Sequence, residues 1–431
     1  MLKNLAGVKV VGIACFDSFG KLAMSQLSAC REDGAITHLY LLDVPGRSIS
    51  RRQRVEIQRL DSKTRITRYP WAKRNELLAS FHQSCDVVIL SLDGKRSRDT
   101  VLLLQSVWQR KTSRPLLITG YPGILFRHAI EGMLDRSYVD LLCLNSESDY
   151  KQYQSSAECL GVDTSNAVVT GLPILWNCES NSQATDRAPI IFFEQPSVPP
   201  SPLQRQFLCK ELDLIAKRWP NRRVLFKPRT SSVETTLHKQ HGEMARMLRK
   251  LGKKRKNLEV TYRPARQLLR NCSCAITVSS TAAIEAMAMG VSTRIVSDIG
   301  INETIGNHYF VGSGVIKSMH DIADDPFTVL HDMAWVEKNG FVREGKSSFL
   351  EAIRKRLSSD PSTRSLNTLE LRGWGSSRWH VYALENGGIK TLSTNGVRSS
   401  NRKRNKTKDI LRRVRSIVIG IPLIERLTRG R

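Results

Sequence analysis

Residues Ala275–Gly290, AITVSSTAAIEAMAMG, contain the pattern that decides the fold. The apolar-rich residues Ala275–Val278 predict a buried strand. Three hydroxyl residues follow, and Ala282–Met289 then predicts a helix that ends at Gly290. A strand that passes through a short polar loop directly into a helix is the repeating unit of a doubly wound α/β sheet.

The same alternation of apolar runs and helix-length segments extends along the chain in both directions. In the first half the predicted strands are Val8–Cys15, Ile36–Leu42, Val87–Leu92, Pro115–Thr119, Leu141–Asn145 and Ala167–Thr170, and the predicted helices are Gly20–Cys30, Lys73–Ser84, Thr100–Lys111 and Ser148–Leu160. Further along, the predicted strands are Ile190–Phe193, Arg223–Lys227, Leu258–Tyr262, Ala275–Val278 and Thr293–Val296, with a helix over Pro202–Arg218 and a long basic helix that ends near residue 252. We therefore expect an α/β protein with two Rossmann-like doubly wound domains facing each other across a cleft, followed by a basic C-terminal tail.

Changes in composition suggest where the domains begin and end. Residues 1–177 and 190–325 each show the strand–helix alternation and predict one Rossmann-like domain apiece. Residues 178–189, CESNSQATDRAP, are polar and predict a linker. Residues 326–385 are mixed and support no assignment, and residues 386–431 predict a flexible basic tail with an amphipathic helix.

The overall composition limits the class of protein. The 431 residues include 40% hydrophobic residues, which excludes wholesale disorder. Lys and Arg outnumber Asp and Glu by 67 to 40, so the net charge of +27 favours anionic partners such as phosphate-bearing substrates, acidic membranes or nucleic acid. Nine scattered cysteines favour free thiols over a disulfide framework or a zinc site. Neither a signal peptide nor an apolar stretch of about 18 residues is found, so we expect a cytoplasmic protein.

The tail could hold the protein on the inner face of a membrane. Residues 401–431 contain eleven Lys or Arg against two Asp or Glu. A row of apolar side chains at helical spacing consists of Ile410, Val414, Ile417, Val418 and Ile421. A basic amphipathic helix of this kind binds anionic bilayer surfaces, which predicts a peripheral membrane protein. An ordinary packed helix and an RNA-binding tail are the alternatives.

Two loops that follow strands of the second domain have residues that favour the binding of an anion. Phe192–Ser201, FFEQPSVPPS, places Gln195 and Pro196 in a proline-stiffened loop that leads into a helix. In Val224–Ser232, VLFKPRTSS, the residues directly after the strand are Lys227, Pro228 and Arg229. Two cations at a strand end can clamp a phosphate. A simple surface turn and solvated surface charge are the alternative interpretations.

The third candidate is the opening stretch itself. Ser279, Ser280 and Thr281 offer hydroxyl groups at a helix N-terminus, which suits a phosphate. Glu285 lies about one helical turn further on, where its carboxylate can accept a hydrogen bond from a ribose hydroxyl. The alternative is a capped structural helix, because Ser and Thr are common N-caps.

These three loops together resemble the donor-binding half of GT-B glycosyltransferases, and in particular the bacterial sialyltransferase and polysialyltransferase-like group. The resemblance covers roughly residues 8–320. Gln195-Pro196 matches the Gln-Pro loop of that group, Ser279-Ser280 matches its Ser-Ser motif, and Lys227-Pro228-Arg229 occupies the place of its His-Pro motif. The chain departs from the group at Lys227, which replaces the histidine.

A second departure concerns the general base. The acidic-acidic-Gly motif of the group has its best positional match at Thr119–Gly123, TGYPG, which lacks the carboxylates. The resemblance places Tyr121 and Gly123 on the acceptor side. Asp17, which follows the first strand, and Asp93, which follows Val87–Leu92, are the candidate catalytic carboxylates, although each can instead cap a loop or helix. Glu131 and Asp135 are further candidates.

The resemblance implies a metal-independent glycosyltransferase that needs no cofactor. Residues 190–325 would bind a CMP-sugar or another nucleotide-sugar, and residues 1–177 would bind a surface glycan or lipid-linked acceptor during polysaccharide biosynthesis. A sugar-nucleotide epimerase or a glycerophosphate polymer transferase has the same fold. A catalytically inactive scaffold is another alternative. Nucleic-acid binding is disfavoured although Arg246–Arg270 holds ten Lys or Arg, because aromatic residues are only 6% of the chain and stacking platforms are missing.

Overall fold

The computed structural model describes residues 3–46, 48–108, 114–124, 130–160, 162–178, 187–229, 243–253, 255–340, 342 and 344–359. The chain divides into two units, Met1–Val381 and Tyr382–Arg431. The second unit, and with it the basic tail 386–431, lies outside the described residues. Residues 179–186 of the predicted linker and 360–385 of the mixed region also lie outside them.

The first lobe is built on a parallel sheet with the strand order β3-β2-β1-β4-β5-β6-β7. Its strands are β1 (Lys9–Ala14), β2 (Ile36–Asp43), β3 (Arg65–Pro70), β4 (Val87–Ser91), β5 (Leu116–Gly120), β6 (Leu141–Leu144) and β7 (Ala167–Val169). The helices between these strands are α1 (Asp17–Glu32), α2 (Arg51–Gln58), α3 (Arg74–Ser84), α4 (Gly94–Trp108), α5 (Ile130–Leu134) and α6 (Glu147–Leu160).

The second lobe is built on a parallel sheet with the order β10-β9-β8-β11-β12-β13. Its strands are β8 (Ile190–Phe193), β9 (Val224–Lys227), β10 (Leu258–Val260), β11 (Cys274–Thr277), β12 (Ser292–Val296) and β13 (Ile316–Lys317). Its helices are α7 (Pro202–Arg218), α8 (Glu243–Gly252), α9 (Ala265–Leu269), α10 (Ala282–Ala288), α11 (Met319–Asp324) and α12 (Met333–Lys338). Two doubly wound parallel sheets confirm the predicted α/β fold class.

The central strands explain why the sequence forms these sheets. Every residue of β4, β5, β8 and β11 is buried, as expected for strands covered by helices on both faces. In the second lobe the core packs on both sides of β8, since Ile190 and Phe192 belong to one apolar cluster while Ile191 and Phe193 belong to another. The continuous apolar runs in the sequence are therefore the cores of the two lobes.

Several elements were not predicted from the sequence, among them β3, β13 and α2. Strand β3, RITRYP, lies at the edge of its sheet and none of its residues is buried, so it lacks the apolar run of a central strand. Strand β13 is only two residues long. Helix α2, RRQRVEIQ, buries only Gln53 and Ile57 and is too polar to show an apolar face. Its N-cap is Ser50, which forms a capping box with Gln53.

The last described helix, α13 (Gly345–Leu357), packs against the first lobe. The ring centroids of Phe349 and Trp176 lie 5.0 Å apart, and Arg354 forms an ion pair with Asp33 at 3.0 Å. Gly345 lies against the carbonyl of Thr170 so closely that a Cβ atom there would be 1.9 Å from the oxygen. Part of the region that the sequence left unassigned is therefore a helix of the first lobe.

The chain passes between the lobes at two places that are hydrogen-bonded to each other. It leaves the first lobe after β7, and it returns before α13. At this point the amide of Leu172 donates to the carbonyl of Gly340 at 2.8 Å. Gly171 has φ +70°, and a Cβ atom on it would lie 3.0 Å from the side chain of Val342. Only glycine fits this close approach at a positive φ.

Candidate active site

The carboxyl ends of both sheets meet at a cavity between the lobes, which we call the cleft cavity. The first lobe contributes the cavity residues Ser18, Lys21, Leu22, Pro122, Leu172, Pro173 and Ile174, and the second contributes Arg229, Thr281 and Glu285. Ligands of doubly wound folds bind at the carboxyl ends of the strands. Among the residues predicted from the sequence, Arg229, Thr281 and Glu285 are therefore brought together at one cavity.

Asp17 lies at the start of α1, directly after a turn with unusual backbone geometry. Phe16 has φ 67° and ψ 157°, which is uncommon for a residue with a side chain. Strained backbone of this kind occurs mainly at functional sites, where the surrounding structure holds it in place. The ring of Phe16 is buried, and Asp17 itself is only 9% exposed. The turn holds the Asp17 carboxylate at the helix N-terminus, where a negative charge is favoured.

An ion pair between Asp17 and Arg229 joins the two lobes. Arg229 Nη2 lies 3.0 Å from Asp17 Oδ2, and Lys21 Nζ lies 3.1 Å from the same carboxylate. Burial alone would raise the pKa of Asp17, but the charges of Lys21 and Arg229 outweigh it, so the pKa is lowered from its ordinary value. Asp17 is therefore an ionised carboxylate whose charge is balanced by one cation from each lobe.

Helix α2 extends this charge network. Glu56 accepts a hydrogen bond from Lys21 at 2.8 Å and also forms an ion pair with Arg52. The side chain of Glu56 is only 9% exposed. Lys21 therefore bridges two carboxylates, Asp17 and Glu56. Sequence reasoning missed Lys21 and α2 because no motif marks them, and their role depends on contacts between distant segments.

Lys227, at the end of β9, is a buried cation. It is 7% exposed, and its Nζ donates to the carbonyl of Pro228 at 2.9 Å. Burial lowers the pKa of Lys227 to about 8, with further lowering by Arg229 and by the more distant Arg52 and Lys21, while Glu56 acts in the opposite direction. A negative group placed beside this lysine, in addition to Glu56, would favour the protonated form of Lys227.

Gln195 and Ser279 hold two loops of the second lobe together. Gln195 Nε2 lies 2.9 Å from Ser279 Oγ, and the amide of Ser279 donates to Gln195 Oε1 at 2.8 Å. The Ser279 hydroxyl also donates to the carbonyl of Ile305. The carbonyl of Pro196 accepts a hydrogen bond from Arg205 at 3.1 Å. In this structure Gln195, Pro196 and Ser279 position the loops, and none of the three lines the cleft cavity.

The rest of this loop leads into α10. Ser280 Oγ accepts a hydrogen bond from the amide of Ala282 at 3.2 Å, so its hydroxyl is engaged in the local turn. Thr281 is half-buried and borders the cleft cavity. Burial raises the pKa of Glu285, although Lys21 and Arg229 act against this rise. Thr281 and Glu285 are the polar groups that this loop and helix present to the cavity.

Tyr121 and Gly123, which were predicted to lie on the acceptor side, are in a loop held by Asn145. Asn145 Nδ2 donates to the carbonyl of Tyr121 at 2.9 Å and to that of Gly123 at 2.7 Å. A Cβ atom on Gly123 would lie 3.4 Å from Thr281 Cγ2, so this loop reaches the other lobe. Pro122 of the same loop lines the cleft cavity.

The other carboxylates that the sequence suggested lie elsewhere. Asp93 forms an ion pair with Arg96 at 2.6 Å and accepts a hydrogen bond from its amide, and Asp135 forms an ion pair with Arg98 at 3.1 Å. Neither Asp93 nor Asp135 lines the cleft cavity. Glu131 lies in α5, and its side chain is outside the described residues.

Sequence reasoning also missed Asp149, in the first turn of α6. This carboxyl is 4% exposed, and burial raises its pKa to about 7 despite a hydrogen bond with Ser146. Asp149 follows β6 in the stretch NSESD much as Asp17 follows β1, and that placement is the signal that could have revealed it.

Within the part of the chain that the structure describes, no three His, Cys, Asp or Glu side chains form a group that could hold a metal ion. Described cysteines are free thiols, with Cys15, Cys30, Cys85, Cys143, Cys209, Cys272 and Cys274 buried. No helix among the described residues is long and apolar enough to cross a bilayer.

Two facing Rossmann-like lobes with a polar cavity at their strand ends form the architecture of the GT-B fold. The chain belongs to the family described as "Putative glycosyltransferase (DUF6716)", whose model matches residues 10–356. The chain is thus a glycosyltransferase-type enzyme of the GT-B fold. A comparison with curated proteins gives no match.

Several solved structures are similar to this chain at low sequence identity. A protein named as a putative UDP-N-acetylglucosamine 2-epimerase from Listeria monocytogenes has a TM-score of 0.59 and 13% identity, covering 83% of this chain and 98% of its own. The Neisseria meningitidis UDP-GlcNAc 2-epimerase, bound to UDP-GlcNAc, has a TM-score of 0.52 and 10% identity, covering 81% and 100%. Arabidopsis thaliana UGT89C1, complexed with UDP, has a TM-score of 0.45 and 10% identity, covering 85% and 99%.

The inter-lobe ion pair should make stability depend on pH. Because the pKa of Asp17 is lowered on folding, its ion pairs stabilise the fold above the ordinary pKa of 3.8, and this contribution is lost as the pH falls through the lowered value. Arg229→Gln should therefore reduce the free energy of unfolding at pH 7, and the difference from the unsubstituted chain should shrink below about pH 4. Urea unfolding at a series of pH values measures this. Lys63→Gln, at an exposed site without an ion pair among the described residues, is the control, and an equal deficit at pH 3 and pH 7 would contradict the prediction.

Proposed function

We propose that this enzyme transfers a sugar from a nucleotide-activated donor to the hydroxyl of a glycan or lipid-linked acceptor, without a metal ion. The observation that carries the proposal is the cleft cavity, where Arg229 and Lys21 from opposite lobes meet beside Thr281 and Glu285. Two cations next to a hydroxyl and a carboxylate suit the phosphate and the ribose of a nucleotide.

The charges around the cavity support a phosphate ligand. The cations Lys21, Arg52, Lys227 and Arg229 are accompanied by the carboxylates of Asp17, Glu56 and Glu285, an excess of one positive charge when all are ionised. A phosphate or diphosphate group would neutralise this excess. It would also favour the protonated form of Lys227, which burial now disfavours.

In the proposed reaction Asp17 is the general base. The acceptor hydroxyl attacks the anomeric carbon of the donor sugar, and its proton passes to Asp17 as the new glycosidic bond forms. The bond from the anomeric carbon to the phosphate oxygen breaks, and its electron pair leaves on the phosphate. Arg229 and Lys227 would neutralise the charge of this leaving group, which lowers the barrier. A donor phosphate that pairs with Arg229 also withdraws one of the cations that lower the pKa of Asp17. Asp17 then becomes a stronger base.

The donor could carry uridine or cytidine. The Neisseria meningitidis enzyme of the same fold is bound to UDP-GlcNAc, which supports a uridine donor. The matches of Gln195-Pro196 and Ser279-Ser280 to the sialyltransferase-like group support a CMP-sugar. A thermal-shift series with CMP-, UDP- and GDP-sugars identifies the base, because a ligand that binds the folded state raises the melting temperature. If none of these nucleotide-sugars raised the melting temperature, the proposal would be refuted.

Arg229→Ala should weaken nucleotide binding by about tenfold to a hundredfold, because a charge-assisted contact to phosphate is lost. Arg223→Ala is the matched control, since Arg223 directly precedes β9 and pairs with Glu259 on the surface, whereas Arg229 follows the strand. Isothermal titration calorimetry with the nucleotide found in the thermal-shift series measures both variants. Equal affinities in the two variants would remove Arg229 from the site.

Analysis of the products separates transfer from the alternatives within this fold. Incubation of the enzyme with the nucleotide-sugar alone should leave the configuration of the sugar unchanged, and release of the nucleotide should accelerate when a glycan acceptor is added. Conversion of the sugar to its epimer without an acceptor would identify an epimerase instead and refute the transfer.

Nucleotide binding should depend on the protonation of Lys227. The pKa of Lys227 is lowered to about 8, so the free enzyme loses this cation as the pH rises through that value. Nucleotide affinity should fall above about pH 8, and proton uptake on binding should increase there. Calorimetry in buffers of different ionisation enthalpy measures the uptake. Lys227→Arg keeps the charge and should abolish the pH dependence; an unchanged dependence would contradict this role.

We further propose that residues 401–431 hold the enzyme at the anionic inner face of the cell membrane. The support is the row of apolar residues among eleven cations in the sequence of this segment, which lies outside the described residues. Substitution of Arg412, Arg413 and Arg415 by Gln should release the full chain from vesicles that contain anionic lipid, as judged by co-sedimentation. Unchanged sedimentation would show that the anchor lies elsewhere.

A further inference from the structure

A second cavity, of about 440 Å³, lies between helix α2 of the first lobe and the segment after β10 of the second. We call it the α2 groove. Arg51, Val55 and Arg59 form its wall on α2, and Tyr262 and Pro264 form the opposite wall. None of these residues lines the cleft cavity.

The wall on α2 presents two separated cations. Arg51, Val55 and Arg59 are spaced by four residues and therefore lie in one row along the helix. Eight residues of helix place Arg51 and Arg59 about 12 Å apart along the axis, with Val55 between them. All three side chains are exposed, and neither arginine has an ion-pair partner among the described residues.

The opposite wall presents an aromatic ring in a fixed orientation. Tyr262 is half-buried, and its hydroxyl accepts a hydrogen bond from Arg249 at 2.8 Å. The Arg249 guanidinium also lies 5.7 Å from the centre of the ring. An aromatic ring with its polar end satisfied offers a flat apolar face to a ligand. The groove therefore combines a central apolar section, between Val55 and Tyr262, with a cation on either side.

This pattern determines the class of ligand. A single phosphate or diphosphate is too short to contact two arginines about 12 Å apart. An oligosaccharide with acidic groups on separate sugars can place a sugar ring against Tyr262 and Pro264 and an anionic group on each arginine. We propose that the α2 groove binds an anionic oligosaccharide, bearing carboxylate or phosphate groups, as the acceptor; its role as acceptor rests on the function proposed above.

The groove and the cleft cavity are connected by an ion pair. Arg52 and Glu56 lie at the edge of the α2 groove, and Glu56 forms the ion pair with Lys21, which lines the cleft cavity. Lys21 in turn contacts Asp17. An oligosaccharide in the groove would therefore extend from beside this pair toward the proposed general base. The same network neutralises Arg52, which leaves Arg51 and Arg59 as the cations available to the ligand.

The test compares binding of defined oligosaccharides to the full-length chain by calorimetry. The probes are a galacturonic acid hexamer, neutral maltohexaose and tripolyphosphate, at about 0.15 M salt so that distant charges are screened. The acidic hexamer should bind, and maltohexaose should bind at least about tenfold more weakly. The double variant Arg51→Gln with Arg59→Gln should weaken hexamer binding by about tenfold or more, and Tyr262→Ala by several-fold.

Lys63→Gln with Lys73→Gln is the matched control, since it removes two exposed cations from the same lobe outside the groove. The basic tail is present in every variant, so its contribution is common to all. Equal weakening of hexamer binding in the control variant would overturn the site. The site would also be overturned if the arginine variant weakened tripolyphosphate binding as much as it weakens hexamer binding. Loss of nucleotide binding in the arginine variant would assign the groove to the donor and overturn the proposal.

The measurement also separates this proposal from the proposed function. Arginine-dependent binding of the hexamer without binding of any nucleotide would support the groove while refuting the donor site. Nucleotide binding without hexamer binding would refute the groove alone.

Discussion

The contact between Asp17 and Arg229 joins two lobes that are each built on their own parallel sheet. Each residue comes from the carboxyl end of a parallel strand system, Asp17 after β1 and Arg229 after β9. A buried carboxylate needs compensating cations, and Lys21 and Arg229 supply them from opposite sides. The same arrangement places the Arg229 guanidinium in the cleft, where a phosphate can pair with it. The ion pair therefore serves both the structure without ligand and the proposed chemistry.

The surrounding charges follow from this constraint. Lys21 is shared between Asp17 and Glu56, and Glu56 also holds Arg52, so helix α2 is tied to the cleft through ion pairs as well as through its buried residues Gln53 and Ile57. Ion pairs at partly exposed sites are also weakened by salt, which makes this charge network sensitive to ionic strength.

Much of the fold could be predicted from the sequence because its central strands are continuous apolar runs. The predicted strand Ile190–Phe193 and helix Pro202–Arg218 have the same ends in the structure. The site was harder to predict. The local loops containing Arg229 and Thr281 were visible as motifs, whereas Lys21 and the α2 residues gain their role from long-range contacts. The hydroxyl of Ser279 was predicted to contact phosphate, yet in the structure it binds Gln195 and the carbonyl of Ile305.

The paired crossing of the chain near Leu172 and Gly340 has a mechanical consequence. Because the outgoing and returning segments are hydrogen-bonded to each other, the two connections lie side by side. Two adjacent connections resist twisting of one lobe against the other, but they permit rotation about the line that passes through both. The width of the cleft would then be governed by one angle, and a change in chain length at either crossing would misalign Asp17 and Arg229 together.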